Sequence, residues 1–322
     1  MELNTANTPS SPASISDLCA TNRDEKQELN RITQGGPIAR PIGHLALKGT
    51  AKNWVAGKLR IVIEVRNGNT IKGMASSETN VVYDHKSEYV AGDVIMITAP
   101  EGARHLIAQT DPNIAESLVY LPECVMAYTV PLGEKLAAFN PKAFRGSSHI
   151  IKVRAAEESE IYAYRNLALN PMDTRGSINY FPHAKANFVT QDRSCLEARN
   201  AIDGCTENNG HGNYPYQSWG GGKRDDLTFE VDFGRNVEID KITLYLRADF
   251  AKDHDTYWES MNVIFSDDST MPIKLARTSK PQTFSFTAKK TSWVRLVNLK
   301  QPSLPLGFAA LSEIEVYGKE TR

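Results

Sequence analysis

Two stretches of the chain concentrate side chains able to recognise a polyhydroxylated ring. The first, HGNYPYQSWGGGKRDD (211–226), carries His211, Tyr214, Tyr216 and Trp219 ahead of three glycines and four charges. The second, LYLRADFAKDHDTYWES (244–260), carries Arg247, Asp249, Asp253, His254, Tyr257 and Trp258. A sugar offers an apolar C–H face and a rim of hydroxyls, so its site needs a flat ring and hydrogen-bonding groups around it. Ring stacking supplies contact area, and a hydrogen bond to a charged group contributes about 1.5–3 kcal/mol in favourable cases. Arg247 and Asp249 lie two apart at a strand end and face the same side, where they grip either ligand hydroxyls or each other. The polar neighbours of Trp258 mark it as the sugar platform, whereas Trp219 divides between platform and core. The candidate ligand set is therefore His211, Tyr216, Trp219, Arg247, Asp249, His254 and Trp258, with His183 of YFPHAKANF as a further rim residue. Neither His211 nor His254 has a His or Cys partner at metal-ligand spacing.

Other chemistries find less support. The glycine triplet could cradle a phosphate only if a helix followed it, and the residues that follow, LTFEVDFG, have a strand pattern. GxSxG, HExxH, GxxxxGK[ST] and GxGxxG are all absent. Asp249, Asp253, Asp255 and Glu259 keep a glycoside hydrolase or lyase as the alternative, acting at this rim or in an interdomain cleft, because such enzymes use paired carboxyls. A protein-interaction module is a third reading and requires an exposed apolar patch.

These residues need a scaffold. A chain of 322 residues accommodates two domains, each with its own core. Against 38 acidic residues stand 37 Lys and Arg, which leaves no global field to gather nucleic acid or an anionic membrane. No apolar run reaches bilayer length, and the opening MELNTANTPSSPASISDL lacks the basic start and apolar core of a secretory leader. As it stands the chain reads as cytoplasmic, and as secreted if a leader has been trimmed. Cys19, Cys124, Cys195 and Cys205 read as free thiols, with a Cys195–Cys205 bridge left open.

The first forty residues form a loose arm. From there KLRIVIEVRN alternates, with Leu59, Ile61, Ile63 and Val65 on one face, and short β-type runs separated by turn residues continue to the end. The predicted fold class is all-β, two tandem antiparallel β-sandwiches spanning 41–163 and 164–322.

After residue 165 the order NLALN, ARNAIDG, SWGGG, LTFEVDFGRNVEIDKITLYL, FSFTAKKTSWVRLVN, LSEIEVYG resembles the discoidin or coagulation-factor type C domain. That resemblance implies a galactose-binding-like jelly roll, of the kind that includes many carbohydrate-binding modules, with the ligand held by loops at one end. It implies non-catalytic glycan binding, with a separate catalytic chain or a second copy of this chain as further partners. It also implies a structural calcium ion. NAIDGCTENN places an acidic side chain before a glycine turn, suited to a hard cation with oxygen ligands. Carried over, the ligands are the carbonyls of Asn200 and Cys205, the side chains of Asp203 and Asn208, and Ser312 with Glu313. The family often has Thr where Asn208 stands, and here Thr206 comes two residues earlier, which leaves the register of that ligand open. The bland alternative is an Asx turn at Asp203.

Overall fold

A computed structural model describes residues 60–250, 256–302 and 307–322. The predicted arm and His254 lie outside the described residues, as do Asp253 and Asp255. The described residues fall in the compact unit Gly57–Arg322. It is antiparallel β throughout, with one four-residue α-helix at Glu158–Ile161 and short 3-10 turns. Among the described residues, no helix is long and apolar enough to cross a membrane.

The first half contains β1 (Ile61–Asn67), β2 (Thr70–Ser77), β3 (Asn80–His85), β4 (Asp93–Thr98), β5 (His105–Gln109), β6 (Ser117–Tyr120), β7 (Val125–Thr129) and β8 (His149–Ala155). One sheet runs β2-β1-β4-β7 and the other β3-β8-β5-β6, so the chain passes repeatedly between layers as in an eight-stranded jelly roll. The alternation seen in the sequence sets the layers: Ile61, Ile63 and Val65 are buried, and the residues between them are half-buried. Ile95, Ile97, Leu106, Met126 and Ile151 meet them from the other strands.

The second half contains β9 (Arg165–Asn166), β10 (His183–Ala186), β11 (Trp219–Gly220), β12 (Phe229–Leu246), β13 (Ser260–Phe265), β14 (Thr270–Lys274), β15 (Gln282–Lys300) and β16 (Ala310–Glu320). They form one sheet, β11-β16-β12-β15-β13-β14, with β10 on β12 and β9 on β16. The pairing of β12 with β15 shifts register between Asp232 and Val237 and again between Ile239 and Lys241. Such bulges bend a strand, and here they let both long strands serve two layers of a sandwich around Phe229, Val231, Ile242, Val263 and Leu296.

The junction expected near residue 164 falls between β8 and β9, but the two cores interlock across it. Met172 and Tyr180, from the second half, are buried in the first core. Tyr120 and Phe181 exchange backbone hydrogen bonds of 2.8 and 2.9 Å. Glu134 accepts bonds from the backbone N–H and hydroxyl of Ser194 at 3.0 Å each. At the far edge, Glu320 of β16 is nearly buried among Arg165, Arg235 and His105, a network that ties β5 to the second sandwich.

Candidate functional site

The loops that precede and follow the short strand β11 meet the ends of β12 and β16. Arg247 follows β12 directly, and its backbone N–H donates to the carbonyl of Ala310 at the start of β16 (3.0 Å). The next residue, Ala248, donates to the carbonyl of Asn208 (2.6 Å), which brings the first predicted segment beside the second. Asn208 reinforces the join by donating through Nδ2 to the carbonyls of Leu246 and Ser279, each at 2.9 Å. On the other side, Thr190 Oγ1 donates to the Gly220 carbonyl (2.8 Å).

These elements enclose a cleft of about 260 Å³ whose lining includes His211, Arg247, Phe308, Gln191, Arg193 and the glycine strand. Two predicted site residues therefore share one cavity, and a third supports them, since His211 Nδ1 lies 2.6 Å from Asp249 Oδ2. The carboxylate fixes the imidazole plane. Arg247, nearly buried, donates to the Phe308 carbonyl, so the guanidinium is oriented before any ligand arrives. Lys223 from the glycine segment holds its ammonium 4.8 Å from the Phe308 ring centroid. The glycines now have a specific reason. A Cβ on Gly221 would stand 2.5 Å from Leu227, and Gly222 combines φ +71° with a Cβ position 3.0 Å from Phe188. Only glycine lets the backbone pass this close to the cleft wall.

Three nominated site residues lie outside the cleft. Trp258, the expected platform, is 1% exposed and lies in the core with Trp219, ring centroids 5.5 Å apart at 27°. The polar residues around it face outward at the entry to β13, and the indole between them turns in. Trp219 is likewise core, its ring tilted against Phe229 with centroids 5.0 Å apart, and it donates Nε1–H to the Phe188 carbonyl (3.0 Å). Tyr216 is exposed but outside the cleft, its ring over Gly210. Asp249, for which the sequence left ligand hydroxyls or Arg247 as partners, also lies 2.6 Å from His211 Nδ1 through Oδ2. Phe308, Gln191 and Arg193 were missed by sequence reasoning. Phe308 stands in GFAALSEI, an apolar run that reads as the start of a strand.

The cation loop lies apart from the cleft. Asp203 Oδ1 accepts from the Cys205 N–H (2.9 Å), the predicted Asx turn, and Oδ2 accepts from Gln217 Nε2 (2.8 Å). Glu313 Oε1 accepts from the Gly204 N–H (3.2 Å), while its Oε2 is buried with no hydrogen-bond partner among the described residues. Burial raises the pKa of both carboxyls, and for Glu313 the charge of Asp203 adds to it. Arg199, 3.7 Å from Asp203, is the neighbouring cation. Ser312 is buried beside Glu313. The Asn200 side chain is committed elsewhere, donating to the carbonyls of Ser194 and Ser218 and accepting from Arg199. Among the described residues, no three His, Cys, Asp or Glu side chains group as metal ligands. Two buried carboxylates, one with an unpartnered oxygen, nonetheless fit a hard cation that takes its remaining ligands from backbone carbonyls. Cys124, Cys195 and Cys205 are free thiols, which leaves Cys195 and Cys205 unbridged.

No protein-family model matches the chain, and no curated protein matches it. Solved structures do. One is a chitosan-binding module from a chitosanase/glucanase of Paenibacillus sp. IK-5, 23% identical over 48% of this chain and 98% of that one, with a TM-score of 0.34. Another is the lectin domain of lectinolysin complexed with Lewis B antigen, 18% identical over 48% of this chain and 96% of that one, TM-score 0.36. A third is the family 32 carbohydrate-binding module of C. perfringens NanJ in complex with galactose, 14% identical over 42% and 91% of the two chains, TM-score 0.32.

Proposed function

We propose that the protein binds a carbohydrate, without catalysis, in the cleft between His211, Arg247 and Phe308. One observation carries the reading. A half-exposed aromatic ring, a guanidinium fixed by a backbone carbonyl and an imidazole fixed by a carboxylate surround a single cavity of about 260 Å³. Phe308 offers a face for sugar C–H groups, and the two oriented cationic or amphoteric groups offer planar bonds to adjacent hydroxyls. Their fixed geometry lowers the ordering cost of binding. Glycan binding by the chitosan, Lewis B and galactose modules of similar architecture agrees with this reading.

The same proposal gives the Asp203–Glu313 loop a structural calcium. Asp203 and Glu313 would supply charge, and backbone carbonyls of the loop, including those of Asn200 and Cys205, would complete the shell. The ion's part is to neutralise two buried carboxylates and so tie the loop to β16. A glycan array with prolonged incubation tests the first statement: retention of intact ligand is expected, and product formation or the absence of any signal overturns it. Calorimetry with calcium tests the second: neither binding heat nor a rise in melting temperature over chelated protein would refute it.

A further inference from the structure

A second cleft, of about 280 Å³, is lined by residues that continue directly into the lining of the first. Phe188 and Val189 line the second cleft, while Thr190, Gln191 and Arg193, next along the chain, line the first. Four consecutive residues, 188–191, span at most about 10 Å even when fully extended, so the two cavities are near neighbours. The second cleft holds His183, a side chain with no part in the first. It is 3% exposed, its Nδ1 lies 2.6 Å from Asp173 Oδ1, and Asp173 is itself locked by the N–H of Ala184 at 2.9 Å. The bond to Asp173 accounts for Nδ1. Nε2 has no hydrogen bond among the described residues and is not fully enclosed, and His183 lines the cleft. Ile178 sits on the lining, 82% exposed, as an apolar surface beside that polar atom.

The charges at this cleft are already matched. Arg175 pairs with Asp192, Lys185 Nζ lies 2.7 Å from Asp232, and Arg199 lies 3.7 Å from Asp203 while donating to the carbonyls of Asp173 and Pro171 and to Asn200. No cation is left over for a phosphate or carboxylate, and a neutral hydroxylated ligand suits the site better. We infer that the second cleft is a subsite for another unit of the same glycan, so that the protein recognises an oligosaccharide lying across the 188–193 wall. This rests on the carbohydrate reading of the first cleft.

The test uses the whole chain and two neutral length series, β-linked galactose oligomers and chitin oligomers of one to six units, titrated by calorimetry. His183→Asn keeps an amide N–H at the position of Nδ1 for Asp173 and removes Nε2. Ile178→Ala, on an exposed position, reads the same cleft without touching the core. The expected result is an affinity that rises about tenfold between one unit and the longer oligomers in at least one series, the upper range for one satisfied hydrogen bond. Both variants should lose most of that rise and leave single-unit binding unchanged. Equal affinity for short and long ligands, or variants that keep the full length dependence, would overturn the second subsite alone. A wild-type protein that binds neither series at any length would overturn the subsite, and one that also retains no glycan on the array would overturn the carbohydrate reading.

Discussion

Replacing Glu313 with Gln should make the calcium-free protein more stable and the calcium-bound protein less responsive. Glu313 is fully buried, with one oxygen bonded to the Gly204 N–H and the other unpartnered among the described residues. Its nearest acidic neighbour, Asp203, is buried too. Without a cation the fold must either keep a proton on this pair or bury a second negative charge. Burial, reinforced by Asp203, raises the Glu313 pKa well above its ordinary 4.5. The folded state therefore binds more protons than the unfolded one above that pH, and cation-free stability falls as pH rises from about 4.5. A neutral amide removes the burden. An unsatisfied buried acceptor costs about 1–3 kcal/mol, more when charged, and about 2 kcal/mol corresponds to roughly 4–8 °C in a domain of this size. Differential scanning calorimetry at pH 7 in chelator should thus place Glu313→Gln several degrees above wild type. Calcium should raise wild type and leave the variant nearly unmoved, because a ligand stabilises only through its affinity for the folded state. A variant less stable than wild type in chelator, or one raised by calcium as much as wild type, would refute the reasoning.

Three further outcomes follow from the packing. Trp258→Ala should cost about 3–5 kcal/mol by emptying a core position against Trp219, measurable by urea titration; a loss below about 1 kcal/mol would contradict the core assignment. Although burial works against it, hydrogen bonds from Arg235 and the nearby imidazole of His105 hold the Glu320 carboxyl at about 2, below its ordinary 4.5. The stability this network contributes is full above pH 4.5 and lost as pH falls toward 2, so Glu320→Gln should flatten the acid limb of the stability profile and cost about 3 kcal/mol at neutral pH. Cys195, fully buried and with its thiol pKa raised by burial, should resist iodoacetamide until the protein unfolds, as mass spectrometry of labelled peptides would show.

How far the sequence led is visible at individual residues. The period-two run Ile61, Ile63, Val65 exposes its buried face directly, because alternation in a strand is a local property. The Asp203 turn was equally local, and the bond from the Cys205 N–H follows from Asx chemistry. Trp258 misled because its polar neighbours describe their own exposure and not that of the indole between them. Which way one side chain turns at a strand entry depends on Trp219, 39 residues away in sequence. Phe308 was hidden for the converse reason: an aromatic in an apolar run looks like core, and only the approach of Arg247 to its carbonyl places it at a cleft. His211 and Asp249 were each nominated, but their pairing needed the backbone bond from Ala248 to Asn208 that joins the two segments.

The most direct test of the account is calorimetric titration of a glycan retained on the array against wild type, His211→Ala and Phe308→Ala. Each variant removes one cleft contact, a fixed polar bond or an aromatic face, from side chains outside the two cores. The account predicts affinity at least about tenfold weaker for each, with melting temperatures close to wild type, as expected for the loss of a charged hydrogen bond or of ring stacking. Undiminished affinity in both variants would contradict it and move the binding site away from this cleft.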